Sequence, residues 1–329
     1  MKILVTGATG FVGGHVAGEL ARAGHEVIGL SRRPPRRDGA IPHVPIDLRR
    51  PPEALPAIDE LDAVVHCAGR LPGVDGLSGS GARDARETIG ALTLAIRAGA
   101  SRFVHLSTLA VSDPPSAGEV LDDRSTWSRR PAAWNHYAIA KIAEERAVRE
   151  AGDRGRIGVV ILRPGIVFGP GDRHATPSFL RALRFPIPFY VGRGDNPVAS
   201  LVVEELAQAV ARAATRSGIE GRCYPLAGRE PITQRDLFRF HARVGSRRAP
   251  RRGLPRPIAL RIAGITEAAC RASARPAALT RVGAWIVGVP SPVDSRAAAV
   301  DLDWTGGSSV PDAIARSITA IRRFEGGQP

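Results

Sequence analysis

Lysine is almost missing from this 329-residue chain: of 46 basic residues only Lys2 and Lys141 are lysine, and methionine occurs once. Against so much Ala, Gly and Arg, this is a compositional bias that raises charge without requiring a polyanionic partner. Most of the formal charge of +14 is therefore assigned to the surface. The sequence also lacks a DNA-reading helix and any interleaving of aromatic with basic residues, which argues against a nucleic-acid partner. Cys67, Cys223 and Cys270 are far apart and form no CxxC, so neither a disulfide framework nor a metal site is indicated, and free thiols in a reducing cytoplasm are expected. No apolar run reaches 18 residues and no signal sequence opens the chain, so neither a membrane span nor secretion is expected. What is present is 43% hydrophobic residues over a length that suits one large or two medium domains.

Residues 2–6 read as a short buried strand, followed by Gly7-Ala8-Thr9-Gly10-Phe11-Val12-Gly13 and a helical period through Val16, Leu20 and Ala21. Strand, glycine turn and helix, in that order, make a phosphate cradle. Gly7 permits the turn, Gly10 admits a pyrophosphate to the backbone, and Gly13 allows helix and strand to pack closely. A second strand over 26–30 ends in Ser31, Arg32 and Arg33. A carboxylate there would hold a ribose 2′-OH, whereas cations suit a 2′-phosphate, so the pattern favours NADP(H) over NAD(H). Asp47 and Leu48, after a third strand, are placed at the adenine edge. A fourth strand, 62–66, ends in the small residues Cys67, Ala68 and Gly69, which let backbone approach a ligand. A glycine-rich loop over 69–81, a helix over 82–98 and a fifth strand over 102–106 lead to Ser107 and Thr108. Strands alternating with helices predict an α/β fold, a Rossmann-type doubly wound parallel sheet.

One of the two lysines stands in Tyr137-Ala-Ile-Ala-Lys141, where a spacing of four places phenol and ammonium on one helix face. Lowering a phenol from a pKa near ~10 by about 3 units takes roughly 4 kcal/mol, which a neighbouring ammonium and an oxidised nicotinamide are expected to supply. A sixth strand, 157–162, gives way to a stretch rich in Pro and Gly over 164–197 that is expected to shape a substrate pocket, with Asp172, Arg173 and His174 as its polar groups. Helices follow over 201–214 and over 233–244, the latter with Thr233 and Asp236 as an Asp variant of a capping box. The basic, amphipathic residues 255–287 are expected to form two lid helices, covering the pocket or resting on an anionic membrane surface. A closing helix is expected over 310–324, with the chain frayed from Gly326.

Taken in order, TGATGFVG, HCAG, LST, YAIAK and the run from Leu162 through Arg163-Pro164-Gly165-Ile166-Val167-Phe168-Gly169 to Asp172 resemble the extended short-chain dehydrogenase/reductase family over roughly residues 1–240. The run from Arg163 to Asp172 is most similar to its 3β-hydroxysteroid dehydrogenase-like branch. So is the tail, with Pro276, Leu279-Thr280-Arg281-Val282, Asp294-Ser295-Arg296 and Asp303-Trp304. The resemblance implies catalysis by Thr108, Tyr137 and Lys141, with Ser107 as the alternative hydroxyl. It implies nucleotide contacts from Gly7, Thr9, Gly10, Phe11, Val12, Gly13, Ser107, Tyr137, Lys141, Pro164 and Val167. Tyr137 would exchange a proton with the substrate oxygen while Lys141 holds the nicotinamide ribose.

The departures from the family pattern are Ala140 for Ser, Ser112-Asp113 for Tyr-Gly and Glu87 for Asn. Thr108-Leu109-Ala110 lacks the acids that sugar dehydratases carry, which disfavours dehydration. The expectation is an NADP-dependent oxidoreductase interconverting a ketone and a secondary alcohol on a hydrophobic, steroid-like or polyketide-like molecule. A nucleotide-sugar epimerase and a non-catalytic NADP-binding regulator are the alternatives, and a homodimer is compatible with all three. Residues 1–170, completed by part of 198–228, are expected to bind nucleotide, while 171–197 and 229–329 form a mainly helical substrate-binding cap.

Overall fold

Short runs of Val, Ile and Leu between glycine turns build the centre of the molecule, a parallel sheet covered on both faces. The structure, a computed structural model, describes residues 1–34, 41–50, 58, 60–69, 81, 83–272 and 277–325. Outside these lie most of the glycine-rich loop over 69–81, the arginines of 35–37, Pro276 and the chain from Gly326. The nucleotide half runs β1 (Lys2–Thr6), α1 (Phe11–Arg22), β2 (Glu26–Ser31), β3 (His43–Pro45), β4 (Ala63–His66), α2 (Arg86–Arg97), β5 (Arg102–Leu106), α3 (His136–Asp153) and β6 (Gly158–Pro164). Beyond it follow β7 (Ile166–Phe168), α4 (Ala175–Ala182), β8 (Phe189–Val191), β9 (Ser200–Val202), α5 (Val203–Thr215), β10 (Cys223–Leu226), α6 (Gln234–Val244) and β11 (Arg252–Leu254). The chain ends in α7 (Arg256–Ala272), α8 (Arg281–Gly288), α9 (Arg296–Asp301) and α10 (Val310–Glu325).

The seven-stranded sheet has the order β10-β6-β5-β4-β1-β2-β3 and is parallel throughout. It is the doubly wound fold expected, with its strand order reversing between β1 and β4. One face is sealed by α1 and α5, whose Val16, Leu20, Leu206 and Val210 join Ile3, Val5 and Val65 in one core cluster. The other is sealed by α2 and α3, where Leu92, Ala95 and Val148 pack on Leu4, Val64 and Phe103. A separate cluster holds Phe168, Phe179, Tyr190, Leu237, Phe238 and Ile314, drawn from residues at or beyond β7.

The stretch over 164–197 is more ordered than its Pro and Gly content led us to expect. It contains α4, and two small parallel pairs, β7 with β9 and β8 with β11, tie it to later chain. The helix over 201–214 begins two residues later than expected, because residues 200–202 pair with β7. Thr233 and Asp236 form the expected capping box on α6. The two helices expected over 255–287 are α7 and α8. Ala259 and Ala263 of α7 are buried, while Ile258 (45% exposed), Arg261 and Ile265 (69% exposed) lie on its outer surface. Among the described residues, no helix is long and apolar enough to cross a membrane.

Candidate active site

The glycine turn sits where β1 hands over to α1. Gly7 has φ +68°, a left-handed conformation that favours glycine. Its own carbonyl leaves no room at Gly13, where a Cβ would stand 2.2 Å from Gly7 O. Gly10, the N-cap of α1, offers no side-chain hydrogen bond to the first turn, so those backbone N–H groups remain for an anionic ligand. Thr9, Gly10, Phe11, His15, Pro170 and Arg173 line a cleft of about 300 Å³ at that helix start. His15 Nε2 lies 3.0 Å from Pro170 O, which fixes one wall to α1. This cradle fits a dinucleotide's pyrophosphate. Arg173, expected among the polar groups of a substrate pocket, lines this same cleft at the start of α1.

At the end of β2, Ser31 Oγ donates to Arg33 O (2.7 Å) and meets Thr9 Oγ1 (3.0 Å) and His43 Nε2 (2.6 Å). Arg32 and Arg33 are exposed. Asp47 is taken by Arg49, whose Nε and Nη2 donate to its carboxylate at 2.9 and 2.5 Å, and that bond holds the Asp47 carboxyl down at about 2. Leu48 is buried in the core, so a ligand would meet only its backbone. Cys67 and Ala68 are half-buried and Gly69 is exposed after β4. Burial pushes the Cys67 thiol up to about 12, leaving it neutral. Val12 and Val167 are half-buried against the sheet core, and Pro164 is buried at the end of β6.

The two candidate hydroxyls part company immediately after β5. Ser107 Oγ turns inward and donates to Glu145 Oε1 at 2.5 Å. Thr108 caps a 3₁₀ turn over Leu109–Val111, and its side chain lies close enough to the Tyr137 phenol to favour the phenolate. Of the two, it is Thr108 that shares a site with Tyr137 and Lys141. Tyr137 stands in the first turn of α3, which Asn135 caps by accepting from Ala138 N at 3.2 Å.

Burial pushes Tyr137 above its ordinary value, and the opposing pull of Lys141 and Thr108 does not overcome it, while Glu144 adds to the rise. The acidic phenol expected from the sequence takes an ammonium and an oxidised nicotinamide together; with the protein's own groups only, desolvation is the larger influence and the ammonium is already paired. Lys141 Nζ donates to Glu144 Oε2 at 2.8 Å and to Leu106 O at 3.1 Å. Burial opposes the charge on Lys141, and Glu144 and Tyr137 hold its value up nonetheless. A side chain at Gly69 would stand 3.2 Å from Lys141 Nζ, so the ammonium also borders the β4 loop.

Several polar groups around this pair were not singled out from the sequence. Arg163, 2% exposed, clasps Glu145 through Nε (2.9 Å) and Nη2 (2.7 Å) and donates from Nη1 to Ser125 O. Trp127 Nε1 adds a bond to Glu145 at 2.6 Å. This clasp anchors α3 to β6 and so fixes the helix that carries Tyr137. The signal was available: Glu144 and Glu145 follow Lys141 by three and four residues, the spacings that share a helix face. Asp172 has a structural role, accepting from the backbone N–H of His174, Ala175 and Thr176 at 2.8, 2.9 and 2.7 Å.

A parallel sheet with an open glycine turn at its switch point, and a Tyr-x-x-x-Lys pair beside it, defines an NAD(P)-dependent enzyme of the short-chain dehydrogenase/reductase type. The NAD dependent epimerase/dehydratase family matches residues 3–239, and the chain belongs to that family. It is 28% identical over 277 residues to a 2-alkyl-3-oxoalkanoate reductase of Stenotrophomonas maltophilia, covering 81% of this chain and 82% of that one. With a ceramide reductase of Caulobacter vibrioides it shares 31% identity over 218 residues, covering 62% of this chain and 58% of the other. Its fold is similar to that of a UDP-glucuronic acid 4-epimerase from Bacillus cereus solved with NAD, at a TM-score of 0.73 and 18% identity, covering 98% of this chain and 99% of that one.

Proposed function

We propose that the protein is an NADP-dependent reductase of ketones on hydrophobic, acyl-chain-like substrates, with Tyr137 as the acid. The observation that carries this reading is the Thr108–Tyr137–Lys141 arrangement beside the open glycine turn. A bound nicotinamide supplies or accepts the hydride; the chain's own residues manage the proton and the orientation. Thr108 orients the phenol and shares its hydrogen bond with the substrate oxygen. Tyr137 gives its proton to that oxygen as negative charge develops there, and Lys141 steadies the phenolate left behind. The first-turn amides of α1, with Arg173, hold the pyrophosphate; Ser31, Arg32 and Arg33 take the ribose 2′-phosphate. Ser107 acts through its backbone at the same edge, while residues 171–197 and 229–329 serve as the cap.

Hydrophobic substrates are supported by the relatives named as reductases of alkyl-oxoalkanoates and ceramide. Replacing Tyr137 by Phe tests the assignment. Turnover should fall by roughly 10²-fold or more while NADPH affinity, read by fluorescence titration, is nearly kept. Retained turnover would remove Tyr137 from the chemistry.

A further inference from the structure

Behind Tyr137 the fold buries titratable groups that this proton transfer does not use. Lys141 and Glu144, 2.8 Å apart, each expose only 7% of their side chains. Glu144 Oε2 lies 3.7 Å from Nε2 of His105, a wholly buried ring neither of whose nitrogens has a hydrogen-bond partner among the described residues. His105 stacks on His66, ring centroids 5.7 Å apart, in register across β4 and β5. His66 meets the hydroxyls of Thr6 (2.8 Å) and Thr88 (3.0 Å), and Thr88 also helps to hold the Glu144 carboxylate charged. Glu87 faces Glu144 from α2, Cys67 faces Lys141 from just beyond β4, and Glu145 and Tyr137 face Lys141 from its own helix.

Possible ligand atoms of His66, His105 and Glu144 lie within 4.8 Å of one another, a grouping that a metal ion also requires. A cation there would have to sit beside the ammonium that Glu144 already binds, and both nitrogens of His66 are occupied by hydroxyls. The cluster is better matched to Lys141 as its cation. Burial drives His66 down to about 3 and His105 well below its ordinary value, so both rings are neutral and, among the described residues, Lys141 is the close positive charge on Glu144.

We propose that Glu144 is a positioning residue: by pinning and neutralising Lys141 it sets the charge that Tyr137 experiences, and hence the pH range in which the pair exchanges a proton with substrate. This rests on the reading of Tyr137 as acid and base. With the carboxylate in place, Lys141 stays protonated but acts on the phenol as half of a dipole, and desolvation of Tyr137 prevails. His105 packs its neutral ring against Glu144 and keeps a second cation or solvent from relaxing the pair. Removing the negative charge of Glu144 makes every proton on the Tyr137–Lys141 pair easier to lose, whichever residue loses it first.

The test is a pH titration of protein carrying tyrosine isotope-labelled at the phenol carbon, followed by NMR without nucleotide. The chain has three tyrosines, Tyr137, Tyr190 and Tyr224, and Tyr137→Phe assigns the resonance of interest. In the native protein Tyr137 should titrate above the free-phenol value of ~10. In Glu144→Gln the pair's first apparent pKa should fall by about one unit or more, a roughly tenfold weaker hold on the proton. The matching limb of the pH–rate profile should move the same way, and Glu144→Asp, which keeps the charge, should stay near native. A Glu144→Gln protein whose titration and profile both match native overturns the proposal and leaves Glu144 a packing role. If Glu144→Gln does not fold, the native titration decides, and a midpoint below ~10 overturns the proposal by itself. The NMR readout needs no turnover, so it stands apart from any failure of the catalytic assignment.

Discussion

The proposed preference for NADP(H) rests on Arg32. Asp47, the nearby carboxylate on which it acts, is clasped through both oxygens by Arg49, so Arg32 reaches Asp47 only through space. Its guanidinium is exposed at the end of β2 and, among the described residues, donates to no carboxylate, which suits it to an incoming anion. Losing one charge-assisted contact of this kind costs about 1.5–3 kcal/mol. Arg32→Ala is therefore expected to weaken NADPH by roughly 10- to 100-fold while changing NADH little, as measured by equilibrium titration with both nucleotides. Equal losses for the two would remove the 2′-phosphate from Arg32. The Ser31 hydroxyl also ties Thr9, Arg33 and His43 together and so holds the edge on which Arg32 is presented.

Strands β4 and β5 carry His66 and His105 into the sheet interior, and α6 carries His241 against Phe179 at 4.4 Å between ring centroids. Burial drives His66 to about 3, His241 to about 4 and His105 well below its ordinary value. Their folded values lie below the unfolded value of about 6.5, so as pH falls the unfolded chain binds protons first. The stability they contribute is complete above about pH 6.5 and is lost progressively toward the folded values, at about 1.4 kcal/mol per pH unit for each histidine. Urea midpoints should therefore decline steadily from about pH 6.5 to pH 5, and less steeply in His241→Phe. A flat native profile, or an unchanged slope in the variant, would contradict these buried neutral rings.

The histidines also mark how far the sequence could be read at the scale of elements. Strands β1, β2, β4, β5 and β6 and helices α1, α2, α5, α6, α7, α8 and α10 were visible in apolar periodicity and caps, because those signals are local. The pairing of β7 with β9 and of β8 with β11 was not, since three-residue strands carry too few alternations to register. Tyr137 and Lys141 were legible as a spacing and Thr108, with Ser107 as its alternative, through the family resemblance, yet their electrostatics were not. Whether a phenol is acidic depends on desolvation and on Glu144, which chain order does not reveal as partner to His105, 39 residues away.

For the molecule as a whole, the central claim is that one parallel sheet brings a dinucleotide and a proton donor to the same edge so that a ketone is reduced with net consumption of nucleotide. An epimerase built on the same fold would use the same tyrosine and lysine, but would return its hydride and finish with the nucleotide unchanged. Deuterium in the transferable position of NADPH separates the two directly. Incubated with a panel of 3-oxoacyl and other long-chain ketones, the protein should place deuterium on the carbinol carbon of the product, one per NADPH oxidised. Product or epimer formed without deuterium and without loss of NADPH would contradict the account.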